Sequence, residues 1–325
     1  MLVTGAGGGG TIEVIKSLRA NGYYVIALDS SEYAAGFQFA DVAYIVPEAT
    51  NKEFLKTAKK IINAESPDFV VPLVDEEIPI FHKLLDAEPD RKFRMVTPSK
   101  QFCDITLDKW ETFLSLRDAG LPTPLTALAS DCSEMKWPAV IKPRDGRGSR
   151  GVAFVEGPQE IEVYLRAAKR QADAFIVQRR VDGSEFTVSV VVALGGPILT
   201  VVPKEVVVKR GVTMVGVTRA QPVIETLCRR VQDALHADGP FNVQLILDRA
   251  GVPQIFEINP RYSTTVALTI ASGVDEVHLV IQHALGRPIE TPKFRPNLTM
   301  LRHYSQQYLA EKEWPPAHVR HVVSN

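Results

Sequence analysis

The chain has 325 residues, of which 45% are hydrophobic and 23% are charged, as in ordinary globular proteins. This length exceeds what one compact core usually holds and predicts two or three subdomains. Lysine and arginine (37) nearly balance aspartate and glutamate (38), so the net charge is −1. Bulk charge therefore gives no reason to expect nucleic acid or a membrane as partner, and a local cluster must hold any anionic ligand.

The three cysteines, Cys103, Cys132 and Cys228, fit neither a metal-site spacing nor a disulfide framework, which is typical of a reducing compartment. No apolar run approaches the roughly 20 residues of a membrane span. The N-terminus also lacks the basic segment of a signal peptide. We therefore expect a cytoplasmic protein.

The first third of the chain alternates strand and helix patterns. Short apolar segments such as "MLVTG", "YYVIALDS" and "PDFVVPLVD" predict strands, and "TIEVIKSLRANG" and "NKEFLKTAKKIINAES" predict helices between them. Strands that alternate with helices favour a parallel sheet. Residues 1 to about 97 are thus expected to form a small doubly wound α/β domain.

The first strand leads into the glycine run "GAGGGG". Gly5, Gly7 and Gly10 fit the spacing G-x-G-x-x-G, and Asp29 ends the next strand. This is the pattern of a dinucleotide-binding turn, which would indicate an NAD(P)-dependent oxidoreductase. Four consecutive glycines satisfy almost any glycine pattern, however, and a tight strand-to-helix turn needs glycine for packing alone. Both explanations remain open from this motif.

Beyond residue 97, "TPSKQFCDITLDKWETFLSLRDAG" predicts one helix, and paired β segments follow. Lys142 precedes the loop "RDGRGSRG" on a strand, whereas in a Walker A loop the lysine follows the glycines. A strand lysine beneath a mobile glycine-rich flap can grip phosphates from below. A solvated hairpin turn is the competing interpretation.

The segment "FNVQLILDRAGVPQIFEINPR" predicts a hairpin. If Ala250 and Gly251 form a two-residue loop, Gln244 lies opposite Glu257, and Asn259 shares their face. That face then offers three oxygen donors, as Mg²⁺ prefers, although a solvent-exposed polar face is the alternative. The opposite face is apolar and comprises Val243, Leu245, Leu247, Phe256 and Ile258.

The spaced set "LDKW", "VIKP", "DGRGSRG", "VQRRVDGSEFTV" and "NVQLIL…FEINPRYSTTVALTIASG" resembles the ATP-grasp family, above all the synthetase domains of the carbamoyl-phosphate synthase large subunit. The resemblance implies an α/β plus α+β protein: an N-terminal Rossmann-like pre-ATP-grasp domain (1–97), then a two-subdomain ATP-grasp fold (98–290, lid about 125–185). Residues 291–325 would be a C-terminal tail packed on the ATP-grasp domain.

The resemblance also implies roles for single residues. Lys109 and Lys142 would contact ATP phosphates under a flap at 145–151, and Arg261 would face the transferred phosphate, so that Lys142 and Arg261 are the catalytic candidates. The nucleotide-binding candidates are Lys109, Lys142, Arg147, Gly148, Ser149, Gln178, Arg179, Val181, Glu185 and Gln244. The ligands for Mg²⁺, with Mn²⁺ also possible, would be Gln244, Glu257 and Asn259.

The implied activity is an ADP-forming ligase that phosphorylates a carboxylate and couples the acylphosphate to an amine or another nucleophile. Expected partners are small-molecule carboxylates and amines, with a homodimer possible and no nucleic acid or membrane. The chain is shorter than one synthetase half and has no glutaminase, so we do not expect it to make carbamoyl phosphate alone. An ATP-binding subunit that needs a partner protein is a further alternative.

The segment 202–218 borders the predicted metal hairpin and carries four charged residues, Lys204, Glu205, Lys209 and Arg210. It is a candidate acceptor site or, equally, a charged solvent-facing strand. His303 and Tyr304 in the tail are candidates to close that pocket. The N-terminal glycine run is expected to form the glycine turn of the pre-ATP-grasp domain, and it is a candidate to line the acceptor site.

Overall fold

The computed structural model describes residues 1–146 and 148–321, without the side chain of Lys312. No helix in this part of the chain has the length and apolarity that a bilayer-spanning segment needs.

A parallel sheet forms at the N-terminus, as predicted. Its first five strands are β1 (Leu2–Thr4), β2 (Ile26–Asp29), β3 (Val42–Ile45), β4 (Phe69–Val71) and β5 (Arg94–Met95). The helices between them are α1 (Thr11–Ala20), α2 (Phe54–Glu65) and α3 (Ile78–Ala87). Leu2 and Ile26 belong to one apolar cluster and Val3 and Ala27 to another, because successive side chains of a strand point to opposite faces. The sheet is therefore buried on both sides, as parallel sheets are.

Two helices follow, α4 (Lys100–Thr106) and α5 (Lys109–Asp118), so the expectation of one helix is wrong. Asp108 separates them because its carboxylate accepts the backbone amides of Trp110 and Glu111 and caps α5. Lys109 consequently becomes the first residue of a helix.

An antiparallel sheet forms the lid. Its strands are β6 (Thr126–Leu128), β7 (Ala139–Pro143), β8 (Ala153–Val155) and β9 (Phe175–Arg179), in the order β6-β9-β7-β8. Helix α6 (Pro158–Ala168) covers one face through Ile161, which joins Ile141 and Val177 in one apolar cluster. The glycine- and arginine-rich loop connects β7 to β8, as the sequence predicts.

A larger antiparallel sheet carries the predicted metal hairpin. Its strands are β10 (Gly183–Val192), β11 (Ile198–Arg210), β12 (Val212–Thr218), β13 (Phe241–Asp248), β14 (Pro253–Asn259) and β15 (Thr299–Leu301), in the order β14-β13-β10-β11-β12-β15. Helix α7 (Pro222–Leu235) covers one face, where Leu227 packs in a cluster with Val188 and Val243.

Helices α8 (Val266–Ala271) and α9 (Glu276–Ala284) join the large sheet to the N-terminal domain. Val266 and Val277 share an apolar cluster with Val14 of α1 and Val3 of β1. This shared core fixes the N-terminal domain beside the end of the metal hairpin.

The C-terminal tail crosses both domains. Strand β15 pairs with β12 of the large sheet, but the final strand β16 (Val319–His321) pairs in parallel with β3, Val319 opposite Ala43. The expectation that residues 291–325 pack on the ATP-grasp domain is therefore wrong for the last strand. The open edge of β3 offers unpaired backbone groups, and β16 satisfies them.

Candidate active site

The β13–β14 hairpin places Gln244 opposite Glu257 and Asn242 opposite Asn259. The expected pairing of Gln244 with Glu257 is right. It arises, however, from two deviations from the predicted hairpin, each of which shifts the register by one residue and which cancel. Asp248 pairs with Val252 around a three-residue loop, where a two-residue loop was expected. A β-bulge between Gln244 and Leu245 then restores the register.

The bulge changes the position of Phe256. Leu245 lies opposite Ile255, so Phe256 is the extra residue of β14. Its side chain lines a cavity instead of the apolar face on which the alternation predicts it. That part of the prediction is wrong, because strict alternation does not allow for an inserted residue.

Lys142 of β7 lies beneath the flap and is buried. Its Nζ donates hydrogen bonds to Gln178 Oε1 at 3.0 Å and to the carbonyl oxygen of Phe256 at 3.0 Å. The ammonium also lies 5.2 Å from the centre of the Phe256 ring. Burial lowers the pKa of Lys142 to about 8, although Glu257 opposes that shift. One ammonium donor remains for a phosphate oxygen.

Gln178 lies next to Lys142 on β9 and is also buried. Its Oε1 accepts from Lys142, and its Nε2 donates to Thr126 Oγ1 at 2.9 Å. The neutral amide holds Lys142 without adding a negative charge, so the lysine keeps its full attraction for phosphate.

The flap loop carries left-handed backbone at Gly146, Gly148, Ser149 and Gly151. Lys109 Nζ donates to the carbonyl oxygen of Gly146 at 2.8 Å and thus contacts the loop directly. Arg147, the remaining flap candidate, lies outside the described residues.

Asp108 and Arg144 anchor the base of the flap, and the sequence analysis missed both. Arg144 donates to both carboxylate oxygens of Asp108, with Nη2 to Oδ2 at 2.6 Å. The ion pair lowers the pKa of Asp108 against the opposing effect of burial. It joins the start of α5 to the end of β7, and so sets the distance between Lys109 and Lys142. The only sequence signal was the N-cap position of the aspartate.

A cavity of about 400 Å³ lies between the lid sheet and the large sheet. It brings together every described residue that was predicted to bind nucleotide or metal or to act in catalysis. Those residues are Lys109, Lys142, Gly148, Ser149, Gln178, Arg179, Val181, Glu185, Gln244, Glu257, Asn259 and Arg261. A strand hairpin, a strand lysine and a loop far apart in sequence therefore converge on one volume.

The candidate acceptor segment separates into different environments. Lys209 lines the first cavity, where its Nζ contacts Glu185 Oε1 at 2.6 Å. Glu205 pairs with Arg219 at 2.8 Å, and Arg210 is exposed. Lys204 is fully buried and donates to Ser189 and Thr269, so the expectation that it borders substrate is wrong. Successive side chains of a strand point to opposite faces of the sheet, so the four charged residues of this segment do not lie on one surface.

A second cavity of about 730 Å³ lies against the N-terminal glycine turn. It is lined by Gly5 and Gly7–Gly10, by Asp29, and by residues after β3 and β4. Arg261, Ser263, Thr264, Gly148, Arg150 and Val212 line both cavities. His303 and Tyr304 line neither, and Tyr304 is 80% exposed, so their expected role in closing the pocket is not supported.

Arg261 stands where the two cavities meet and pairs with Asp75 of the N-terminal domain. Its Nε contacts Asp75 Oδ1 at 2.5 Å and its Nη2 contacts Oδ2 at 3.1 Å. Both side chains are largely buried, and the Asp75 carboxylate raises the pKa of Arg261 against the effect of burial. The sequence analysis missed Asp75. The usable signal was an acidic run at the carboxyl end of β4, where open α/β sheets bind ligands.

The glycine turn uses its own amides. The Gly7 amide donates to Asp29 Oδ2 at 2.7 Å, and the Ser31 amide donates to Asp29 Oδ1 at 2.8 Å. A dinucleotide site needs this carboxylate for ribose hydroxyls and these amides for a pyrophosphate. The Asp29 carboxylate and the Gly7 amide are already paired with each other, which counts against the oxidoreductase alternative.

The donor set Gln244, Glu257 and Asn259 fits Mg²⁺. One carboxylate and two amide oxygens on one face, lining the cavity of about 400 Å³, leave positions for phosphate oxygens and water. Among the described residues, no cluster of three or more His, Cys, Asp or Glu residues forms an alternative metal site.

Comparison with known families agrees with this geometry. Residues 106–265 match the model of the ATP-grasp domain, and residues 1–95 match that of the PylC-like N-terminal domain. The chain contains an ATP-grasp domain. The predicted family resemblance and fold class are thereby confirmed.

Two relatives align with most of the chain. A carbamoyl-phosphate synthase from Methanobrevibacter smithii is 24% identical over 83% of this chain and 77% of its own length. A formate-dependent phosphoribosylglycinamide formyltransferase from a Synechococcus strain is 26% identical over 99% of this chain and 84% of its own length.

A solved structure has the same fold. The biotin carboxylase domain of 2-oxoglutarate carboxylase from Hydrogenobacter thermophilus, in complex with MgADP and bicarbonate, superimposes with a TM-score of 0.72. It shares 17% identity and covers 90% of this chain and 72% of that chain. The ATP-grasp domain marks this chain as an ATP-dependent, ADP-forming ligase that activates a carboxylate.

Proposed function

We propose that the chain phosphorylates a small carboxylate with ATP in the first cavity and joins the acylphosphate to a nucleophile held in the second cavity. One observation carries this proposal: the two cavities meet at Arg261, which is fixed by Asp75. A group that passes from one cavity to the other must pass this guanidinium. Six residues line both volumes, so a single reaction centre serves both substrates.

In the first step, a carboxylate oxygen attacks the γ-phosphorus of ATP, and the bond to the β-phosphate oxygen breaks to release ADP. Phosphoryl transfer depends chiefly on positioning and charge neutralisation. Lys142 and Lys109 hold phosphate oxygens, and Arg261 neutralises the transferred group. Gln244, Glu257 and Asn259 would hold Mg²⁺ or Mn²⁺. A bound ion would supply further charge neutralisation during the transfer.

In the second step, an amine attacks the acyl carbon, the carbon–oxygen bond to phosphate breaks, and the amine loses a proton. Water competes for the same carbon, so the centre must stay closed. The flap at 145–151 contributes Gly148 and Arg150 to both cavities, and its closure would cover the acylphosphate. Asp75 is a positioning residue here, because it acts through Arg261.

The nucleoside end of ATP would lie along β9 and β10. Gln178, Arg179 and Val181 line the cavity where the adenine ring would fit, and Glu185 would accept the ribose hydroxyls. Glu185 is paired with Lys209 in this structure, so the lysine would yield the carboxylate or share it when the nucleotide binds.

The acceptors are expected to be small molecules. A homodimer, a cytoplasmic location and the need for a partner protein stay predictions. Size-exclusion chromatography with light scattering tests the first, and activity of the purified chain alone would argue against the last.

The decisive experiment measures ADP and phosphate release from MgATP with pooled amino acids, small carboxylates, bicarbonate and amines. Glu257→Ala is the blank, and Glu162→Ala on the exposed face of α6 is the matched control. Release that depends on a pool and on Glu257, but not on Glu162, supports the proposal. Failure of the purified protein to bind ATP or MgADP would overturn it.

A further inference from the structure

The cationic side chains around the two cavities differ in position. Lys109 and Lys142 line the first cavity but not the second, whereas Arg150 and Arg261 line both. The acyl group must lie where the γ-phosphorus and the nucleophile can both reach it, which is the junction of the cavities. A carboxylate at this junction would meet the two arginines, while the two lysines face the phosphates of ATP.

Arg261 has little capacity left for a carboxylate. Its Nε and Nη2 donate to Asp75, its Nη2 also donates to Asn259 Oδ1 at 3.4 Å, and its Nη1 donates to the carbonyl oxygen of Tyr262 at 3.2 Å. Four of the five N–H donors of this guanidinium therefore have an acceptor. The remaining one can reach an oxygen of the transferred phosphoryl group. Binding both oxygens of a carboxylate, however, needs two parallel N–H groups.

Arg150 has the donors that Arg261 lacks. Its side chain is exposed, and it forms no ion pair with any carboxylate that the structure describes. Two other arginines near the flap are already paired, Arg144 with Asp108 and Arg170 with Asp145. The planar guanidinium matches the two oxygens of a carboxylate, so Arg150 can bind such a group at the junction.

The backbone on both sides of Arg150 is anchored. The carbonyl oxygen of Gly151 accepts a hydrogen bond from the Tyr164 hydroxyl of α6 at 2.5 Å. At the other end of the flap, the carbonyl oxygen of Gly146 accepts from Lys109 of α5 at 2.8 Å. These contacts fix the ends of the flap, so the side chain of Arg150 starts from an anchored position beside the junction.

We propose that Arg150 binds the carboxylate that is to be phosphorylated, through two parallel N–H···O bonds, and so selects a free carboxylate over its neutral amide. This inference rests on the proposed function, because it places the carboxylate at the junction of the cavities. It gives the two arginines different tasks: Arg261 faces the transferred phosphoryl group, and Arg150 holds the carboxylate.

The first test measures the KM for ATP and the KM for the carboxylate that the pooled assay identifies. Arg150→Ala should raise the KM for the carboxylate at least about tenfold, equivalent to about 1.4 kcal/mol, and change the KM for ATP less than about twofold. Arg150→Lys keeps the charge but loses the planar fork, so its KM should lie between those of wild type and Arg150→Ala. Arg166→Ala removes an exposed arginine from α6 and is the matched control.

Two outcomes of this test contradict the inference while the proposed function stands: an unchanged KM for the carboxylate in Arg150→Ala, or an equal rise of both KM values. Absence of turnover with every pool would instead count against the proposed function.

The second test does not need turnover. With MgADP bound, a titration with acetate, followed by saturation-transfer NMR, compares the wild-type chain with Arg150→Ala and Arg166→Ala. Wild type and Arg166→Ala should bind acetate alike, and Arg150→Ala should bind it at least about tenfold more weakly. Acetamide, the neutral isostere, should bind none of them measurably. Equal acetate binding by all three proteins, or none by wild type, refutes the role of Arg150. A thermal midpoint for each variant confirms that it is folded.

Discussion

The two glycine-rich segments of this chain look alike in sequence and differ in structure. In the turn at 5–10, amides donate to neighbouring carbonyl oxygens and to Asp29, and a Cβ on Gly5 would lie 2.7 Å from Val74 Cγ2. In the flap, a Cβ on Gly146 or Gly148 would meet nothing within 4 Å. Gly5 of the turn is packed against Val74, and the turn lines the second cavity, whereas the flap stands over the first cavity, which is floored by Lys142.

The difference shows that the surroundings of a glycine segment, not its glycine count, set its role. The turn needs glycine at position 5, where a Cβ would collide with Val74, and the amides of Gly7 and Gly8 donate to Asp29 and to the Gly5 carbonyl oxygen. The flap needs glycine for its left-handed backbone and keeps its space for a ligand. Opposite charges complete the contrast: Asp29 beside the turn, lysines beneath the flap.

The largest expected effect comes from the hairpin beneath the flap. Glu257→Ala should lower kcat by at least about 100-fold, because charge neutralisation by a bound metal is worth several kcal/mol in phosphoryl transfer. Steady-state ADP release measures it, with Glu162→Ala as the control. Residual activity near the wild-type level would move the metal away from this hairpin.

A pair of glycine substitutions tests the contrast itself. Gly5→Ala forces a left-handed alanine, which costs roughly 1–2 kcal/mol, and adds the collision with Val74. It should lower the free energy of unfolding by about 2–3 kcal/mol. Gly148→Ala meets no neighbour, so it should change stability less and raise the KM for ATP more. Denaturant unfolding and ATP kinetics of both variants give the answer, and a reversal of the two patterns would break the comparison.

The charge of Lys142 predicts a pH dependence of the flap site. Its pKa, lowered by burial to about 8, keeps the ammonium charged below that pH and removes the charge above it. ATP affinity should therefore weaken as the pH rises through about 8, approaching tenfold per pH unit. Lys142→Met should bind more weakly throughout and lose this transition. Glu257→Gln should move the midpoint lower, because Glu257 raises this pKa. Titrations of ATP binding across pH measure all three.

The smallest effect concerns the wall of the acceptor cavity. Arg302 of the tail donates to the carbonyl oxygens of Gly9, Thr264 and Thr213 at 3.2, 2.7 and 3.0 Å. Arg302→Ala should cost about 1–2 kcal/mol of stability and raise the KM of the acceptor a few-fold, with the KM for ATP nearly unchanged. Arg117→Ala, at an exposed position of α5, is the matched control. A larger change in the KM for ATP than in the KM for the acceptor would contradict a role of Arg302 in holding the wall of the second cavity.

The sequence by itself determined the parallel N-terminal sheet, the lid hairpin and the face shared by Gln244, Glu257 and Asn259. These features follow from local hydrophobic periodicity and from spacing along one hairpin. Even there, the bulge at Phe256 was invisible, because an inserted residue leaves the apolar pattern of the flanking strands intact.

Only the tertiary structure decided the ion pair of Arg261 with Asp75, the anchor of Arg144 on Asp108 and the placement of β16 in the first sheet. Each joins segments far apart in the chain, and no local pattern encodes such a contact. Long-range contacts also determine which charged side chains surround each of the two glycine-rich segments. Asp29 accepts a hydrogen bond from the Gly7 amide although helix α1 separates the two residues in sequence. Lys142 of the lid sheet donates to the carbonyl oxygen of Phe256 in the large sheet. Local sequence supplies the flexible backbone, and the fold supplies the charges that surround it.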